Sequence, residues 1–363
     1  MFGLALLFLP LFGFAANPCD LDTNKFCKEI TRPDEQLSCL SHKFKELSLA
    51  CQEHLERLGK AAKQTNPPGG GPMGLLGGMM GTSVPLMLVE GRFLMPDRED
   101  DSANESQLRL SYPVYKGEQY TSSVNTSYSQ LNFKNKITLD NGLSIPKSLF
   151  KTEAGTRISR TIEKGRVLGV QGSYGYAGDE FVPETSTYNI ALTYSFPGND
   201  GNWVLLGSIS NNGIFGANVP VPGFFYLKKT KNFTGVFGLP IISMQWTPTH
   251  LWSFSASALG PNVSVEASRG KIEDGQAFLG SSFMQRRYLL SDRTNDRDRL
   301  VVEEKVLEAG WRMPLGKSIF TEVKGGFVFD RAVYVGESLF DRGGGEQDLK
   351  SAWMTAFSLR FLL

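Results

Sequence analysis

Acidic and basic residues stand at even steps along the later part of this 363-residue chain. Glu304, Glu308 and Arg312 share one parity, Glu322, Lys324 and Asp330 another such set, and Glu266 and Arg360 hold comparable places in their own segments. A strand sends alternate side chains to opposite faces, so this spacing gathers charge on one face. Two carboxylates on one face could do acid–base work. Glu304 and Glu308, however, lie about 13 Å apart on an extended chain, too far to share a proton. Opposite charges on neighbouring strands can instead pair, either locking a lumen or lining it to select small solutes. Of three histidines only His250 lies beyond residue 60. Without a Gly-x-Ser-x-Gly elbow, a phosphate loop or a dinucleotide fingerprint, the chain is expected to be no enzyme and to need no cofactor.

A second set of reactive residues lies near the start. Residues 1–15 form a Leu- and Phe-rich run ending in small residues, which reads as an export signal cut after Ala15. Cys19, Cys27, Cys39 and Cys51 follow directly, an even set that would be oxidised outside the cytoplasm. Residues 17–60 read as a helical hairpin turning at Pro33-Asp34. Leu37, Leu40, Phe44, Leu47, Cys51, Leu55 and Leu58 make the apolar face of its second helix. Residues equidistant from the turn meet, which pairs Cys27 with Cys39 and Cys19 with Cys51. A metal held by Cys27, Cys39, His42 and His54 is the alternative, but zinc ligands usually come in close pairs and these do not. Residues 61–82, rich in Pro and Gly and then in Met and Leu, are a linker or a plug.

The elements that would position the charges are strands. Alternating segments recur near 84–94, 105–116, 120–133, 149–162, 165–177, 186–196 and 202–211. They continue near 235–247, 250–259, 262–270, 276–285, 299–313, 317–331 and 351–363. Short turns alternate with long charged loops, as in a membrane barrel and not in a soluble sandwich. The expected fold is therefore mainly β: an antiparallel transmembrane barrel of about fourteen strands over 83–363, preceded by the small disulfide-linked helical hairpin. No apolar run after residue 15 reaches the roughly 18 residues of a membrane helix. The net charge of +1 gives no reason to expect nucleic acid. The long loop 211–233 carries Phe215, Phe224, Phe225 and Tyr226, and its apolar segment must be covered, either by folding inward as a constriction or by packing on the rim.

Two resemblances accompany this reading. Cys-x7-Cys-x11-Cys-Leu-x-His-x8-Cys resembles the cysteine-rich repeat of the Golgi sialoglycoprotein family, present here once. Val221-Pro222-Gly223-Phe224-Phe225-Tyr226, Leu251 to Ser257, Tyr288 to Arg293 and Phe329-Asp330-Arg331 are similar to an uncharacterised family of bacterial outer-membrane barrels. The last stretch places Trp353, Phe357, Leu359, Phe361 and Leu363 on one face. It resembles the terminal strand read by the barrel assembly machinery, although it ends in Leu instead of Phe. The implied setting is outer-membrane lipid, with the cysteine module in the periplasm and available to a protein partner. The expected function is a channel or porin-like conduit for small polar or amphiphilic solutes. The alternative is a barrel that anchors the module.

Overall fold

The structure is a computed structural model that describes residues 19–27, 39–40, 43–49, 51–52, 55, 85–96 and 102–363, apart from 317, 339–340 and 344. The expected export signal at 1–15 and the linker at 61–82 lie outside the described residues. The chain divides into two compact units, residues 1–67 and 68–363.

In the first unit Cys19 is bonded to Cys51 and Cys27 to Cys39, the expected nested pairs. Helix α1 (Asp20–Phe26) lies between Cys19 and Cys27, which flank it as its caps. The long second helix expected from the apolar spacing is broken. Phe44–Glu46 is a 3-10 turn, and Leu47 leaves it with extended backbone. Ser48 gives the physical reason, because its hydroxyl accepts the Cys51 N–H at 3.4 Å in the manner of a helix N-cap. The same hydroxyl donates to the buried Asp22 carboxylate at 2.5 Å, which ties the break to α1. Among the described residues the core is Leu40, Leu47 and the cystines, with Phe26, Phe44 and Leu55 packed against it, so the bridges are expected to carry much of the fold. Replacing Cys19 and Cys51 by Ser frees a span of 32 residues. The expected cost to this unit is about 3–4 kcal/mol, since the bridge restricts its unfolded chain. Limited proteolysis of residues 19–55 reads it, and unchanged protease resistance would show that packing suffices.

The second unit is a closed barrel. Its strands are β1 (Leu86–Pro96), β2 (Ala103–Lys116), β3 (Tyr120–Phe133), β4 (Ser148–Thr161), β5 (Val167–Gly178) and β6 (Ser186–Pro197). There follow β7 (Gly201–Ser210), β8 (Val221–Lys229), β9 (Phe233–Leu239), β10 (Ile241–Trp246) and β11 (Trp252–Leu259). The last are β12 (Asn262–Arg269), β13 (Gln276–Tyr288), β14 (Arg299–Pro314), β15 (Ile319–Gly336) and β16 (Ala352–Leu362). Each pairs antiparallel with its neighbours in sequence, and β16 closes on β1, with Leu86 opposite Leu362 and Pro96 opposite Ala352. Closure leaves no edge strand, the condition for a sheet to stand in lipid.

Sixteen strands replace the expected fourteen. The segment read as loop 211–233 contains β8, and the segment read as one strand at 235–247 is two, β9 and β10, divided at Pro240. Proline donates no ladder hydrogen bond, so a continuous central strand cannot run through it.

The outward face is a lipid surface. Ile190, Leu192, Leu205, Leu279, Leu307, Val323 and Phe357 are all exposed there. Trp203, Trp246, Trp252 and Trp311 lie near the end of the barrel that carries the short turns, and Trp353 lies near the other. Tryptophan at both rims of an apolar band is the pattern of a membrane girdle.

Candidate functional site

Register sorts every strand residue to the lumen or to lipid, and the lumen has two unlike walls. On β12 to β16 and onward through β1, β2 and β4, the inward parity is charged. Near the turn end Arg312 makes a bidentate pair with Glu266, two bonds of 2.6 Å, and a third bond of 2.6 Å to Glu322. Lys324 lies 3.3–3.6 Å from Glu308, Glu90 and Glu322, and Arg360 lies 3.7 Å from Glu322. Higher up, Arg92, Glu105, Arg286 and Glu304 form a buried ring. Arg92 bonds Glu304 and lies 3.3 Å from Glu105, while Arg286 reaches Glu105 at 2.7 Å and Glu304 at 3.1 Å. Glu304 is 3% exposed and Arg92 5%. Seven of the eight charged residues singled out in the sequence thus face the lumen. Sequence reasoning missed Glu90, Arg92, Glu105 and Arg286, which complete their pairs.

Asp330 is the exception. A bulge sets Asp330 and Arg331 opposite the single residue Glu304, and Asp330 takes φ 49°. One extra residue reverses the parity that follows it. Asp330 therefore lies on the outer face, exposed and paired with Lys305.

From β5 to β11 the inward parity carries no ionisable side chain except Lys229 at the end of β8. Ala191, Val204, Leu206, Phe225, Val236 and Ile241 pack there as an apolar patch. Ser208, Ser243, Ser255 and Ser257 stand around it. An amphipathic lumen results, ionic on one side and apolar with hydroxyls on the other.

The end that carries the long loops is roofed. β14 and β15 have 16 and 18 residues against 8 each in β11 and β12. Beyond the bulge this excess, with the end of β13, bends over the lumen. Bulges bend the strands that contain them. The roof reaches β5, eight places round a circuit of sixteen and so on the opposite wall. There the Leu289 N–H donates to the Ala177 carbonyl at 2.7 Å, and Ser291 bonds Asp179 through N–H and hydroxyl, both at 2.9 Å. Gly178 is required at this crossing, because a Cβ would stand 2.2 Å from the Leu289 oxygen. Beneath the roof Leu300, Val302, Val333 and Val335 pack on Leu94, Leu131, Phe133 and Leu149. Ile137, Leu139 and Ile145, from a short hairpin spanning 137–145 between β3 and β4, join the same core.

The expected loop constriction is not what closes the lumen. Phe224 and Tyr226 point outward from β8, where both rings pack with Trp203. Phe225 alone is inward and buried. Phe215 sits exposed in the remaining loop, 211–220, whose Ile214 packs over Gly260. The inserted segment is 134–147, for which the only sequence signal was its Ile and Leu content.

Loop 337–345 is held by Asp341, which accepts the Glu337 N–H at 2.9 Å and the Gly343 N–H at 3.0 Å. Those two N–H groups hold its carboxyl below the usual carboxylate range. A depressed folded pKa adds stability that is fully present above the unfolded value, about 4, and is lost as pH falls through the folded value. Hydrogen exchange of the Glu337 and Gly343 amides, corrected for intrinsic rates, should therefore show protection at pH 6 that declines below pH of about 4. Protection unchanged at lower pH would remove the carboxylate from this role.

No family model and no curated protein matches the chain, so neither resemblance read from the sequence is supported at the level of family. Among solved structures it is similar to an outer membrane channel from Pseudomonas putida F1, with 8% identity and a TM-score of 0.33 over 78% of this chain and 96% of that one. It is similar to a mutant of the TodX monoaromatic hydrocarbon channel, with 10% identity and a TM-score of 0.33 over 77% and 90%. It is also similar to the translocator domain of the autotransporter NalP from Neisseria meningitidis, with 9% identity and a TM-score of 0.30 over 78% and 89%. At these TM-scores the likeness carries no argument about activity, and the assignment as a barrel rests on the chain's own closed circuit of strand pairs.

Proposed function

We propose that the chain is a bacterial outer-membrane barrel whose lumen conducts small amphiphilic solutes, with its roof at the external end and the short turns in the periplasm. The observation that carries this reading is the division of the lumen into an ionic and an uncharged, partly apolar wall. A uniformly charged lining would suit ions or sugars. Phe225 and Val236 are packed inside the apolar wall, 3% and 0% exposed, so a bound solute enters by parting that packing, its apolar body against these side chains and its polar head toward the ionic wall. In lipid nanodiscs, with empty discs as the blank, an amphiphile with an aromatic body and a neutral polar head should bind saturably. Phe225→Thr should weaken that binding about tenfold, the loss expected for one buried aromatic contact. Binding that ignores Phe225→Thr, or a sugar of equal size that competes, argues against this site.

A second reading is favoured by the roof, whose apolar underside resembles a permanent closure. In it the barrel is an anchor that presents the cysteine-rich unit to a periplasmic partner. Conductance separates the two, because a permanent closure passes no current under any mild perturbation of the roof's edge.

A further inference from the structure

Orphaned polar atoms in this chain are not scattered. Of the seven buried side-chain nitrogen or oxygen atoms without a hydrogen-bond partner among the described residues, four lie in one place: Nε of Arg287, Arg293 and Arg299, and Oδ1 of Asn212. This place is the upper side of the roof, where β13 and β14 and the segment joining them meet loop 211–220.

The three guanidinium groups are held almost wholly by neutral acceptors. Arg299, 3% exposed, donates to the carbonyls of Asp296 at 2.7 Å, Asp298 at 2.8 Å and Asn211 at 2.6 Å. Arg287 donates to the Gly213 carbonyl at 2.8 Å and to the Gln285 side chain at 3.2 Å. Arg293 donates to the Leu290 carbonyl at 2.9 Å. Its one carboxylate contact is Asp296 at 3.7 Å, a side chain 97% exposed to water. The other acids nearby are engaged elsewhere. Asp298 and Glu337 both accept from Asn295, and Asp341 accepts two backbone N–H groups. Arg287 and Arg293 stand close enough to Arg299 to repel it, and Asp298 and Asp296 attract it without a side-chain hydrogen bond.

A buried cation ordinarily has a hydrogen-bonded anion beside it, because its desolvation is otherwise uncompensated. Three guanidinium groups with spare N–H donors, two of them repelling the third, have no hydrogen-bonded carboxylate among the described residues. We propose that Arg287, Arg293 and Arg299 form a binding site for a phosphate-class oxyanion on the roof. A tetrahedral oxyanion offers enough acceptors for three forks, and guanidinium–phosphate bonds are stronger than those to neutral carbonyls. The oxyanion comes either from solution or from the headgroup of a phosphorylated lipid. This inference does not depend on the lumen conducting anything.

The test uses the full-length protein in neutral detergent, titrated with inorganic phosphate against chloride at constant ionic strength. Thermal unfolding and 31P line width are followed. A saturable rise in Tm and broadening of the phosphate line are expected. Arg293→Gln should weaken the apparent affinity about tenfold or more, as expected for losing one charged hydrogen-bond donor. It is the informative variant because Arg293 is tied to the fold through a single carbonyl, and Arg299→Gln serves as the second. Lys305→Gln, on the outer face, should change nothing. In a parallel arm, vesicles containing a phosphorylated lipid replace free phosphate. Protection there alone, lost in Arg293→Gln, assigns the site to a headgroup. Absence of a saturable effect from both sources overturns the proposal. So does an effect that survives in both arginine variants.

Discussion

Replacing Glu304 by alanine is expected to destabilise the barrel by about 3–5 kcal/mol, the largest effect of any single lumen substitution. The reasoning starts from burial. Glu304 is 3% exposed and accepts from Arg92 and Arg286, which also share Glu105. Removing the central carboxylate leaves two guanidinium groups facing one acid in a space that water hardly reaches. Breaking a buried pair costs more than the pair's net worth, because the surviving charge keeps its desolvation penalty. The position also lies in the bulge from which the roof bends, so relaxation cannot easily bring water in without disturbing β14 and β15. Lys305, the next residue, supplies the contrast. Its pair with Asp330 lies on the outer face with both side chains well exposed, and Lys305→Ala should cost less than about 1 kcal/mol. Urea unfolding in vesicles, followed by tryptophan fluorescence, compares the two. If Glu304→Ala costs as little as Lys305→Ala, water fills the ring and the lumen is wetter at this height than its packing indicates.

The contrast between these adjacent residues also shows what was legible in the sequence. Strict alternation identifies the faces of β6, β11 and β16 correctly, because each pairs with its neighbours without irregularity. It fails at Asp330 because a bulge is a property of two strands together and leaves no clear mark in either one. At Pro240 a mark did exist. Phe233, Gly235, Phe237 and Leu239 face outward on odd numbers, whereas Ile242, Met244 and Trp246 do so on even ones. That change of parity across a proline was the sign of two strands. β8 was hidden by Pro222, Gly223 and Lys228-Lys229, all of which read as loop until register places them in the wall. The roof had a sequence trace too: Leu300-Val301-Val302 is apolar on both parities, as a strand covered on two sides must be. Its crossing to Gly178 joins residues more than a hundred apart and could not be read from local spacing.

How the roof could open follows from comparing its two kinds of contact, and it yields the second large effect. Nineteen buried apolar side chains form the core under the roof. At roughly 1.5 kcal/mol or more for each, lifting the whole roof would cost tens of kcal/mol, which no thermal fluctuation supplies. The crossing to β5 rests instead on three hydrogen bonds, from Leu289 to Ala177 and from Ser291 to Asp179, each worth about 1 kcal/mol net. The roof is also tied to loop 211–220 through Arg287 and Arg299, so the passage that breaks fewest contacts runs along the β5 edge and leaves both that loop and the core in place. Gly178→Val forces a side chain against the Leu289 oxygen, and Asp179→Ala removes both bonds to Ser291. Each variant should raise the open probability of single channels in a planar bilayer by about ten- to a hundredfold, the factor corresponding to 1.4–2.8 kcal/mol. Heat stability should hardly change, because the core under the roof is untouched. Rare brief openings in the wild type that become frequent in both variants would support the conduit. A membrane that stays silent in all three would mean that the edge leads nowhere, and the barrel would then be an anchor.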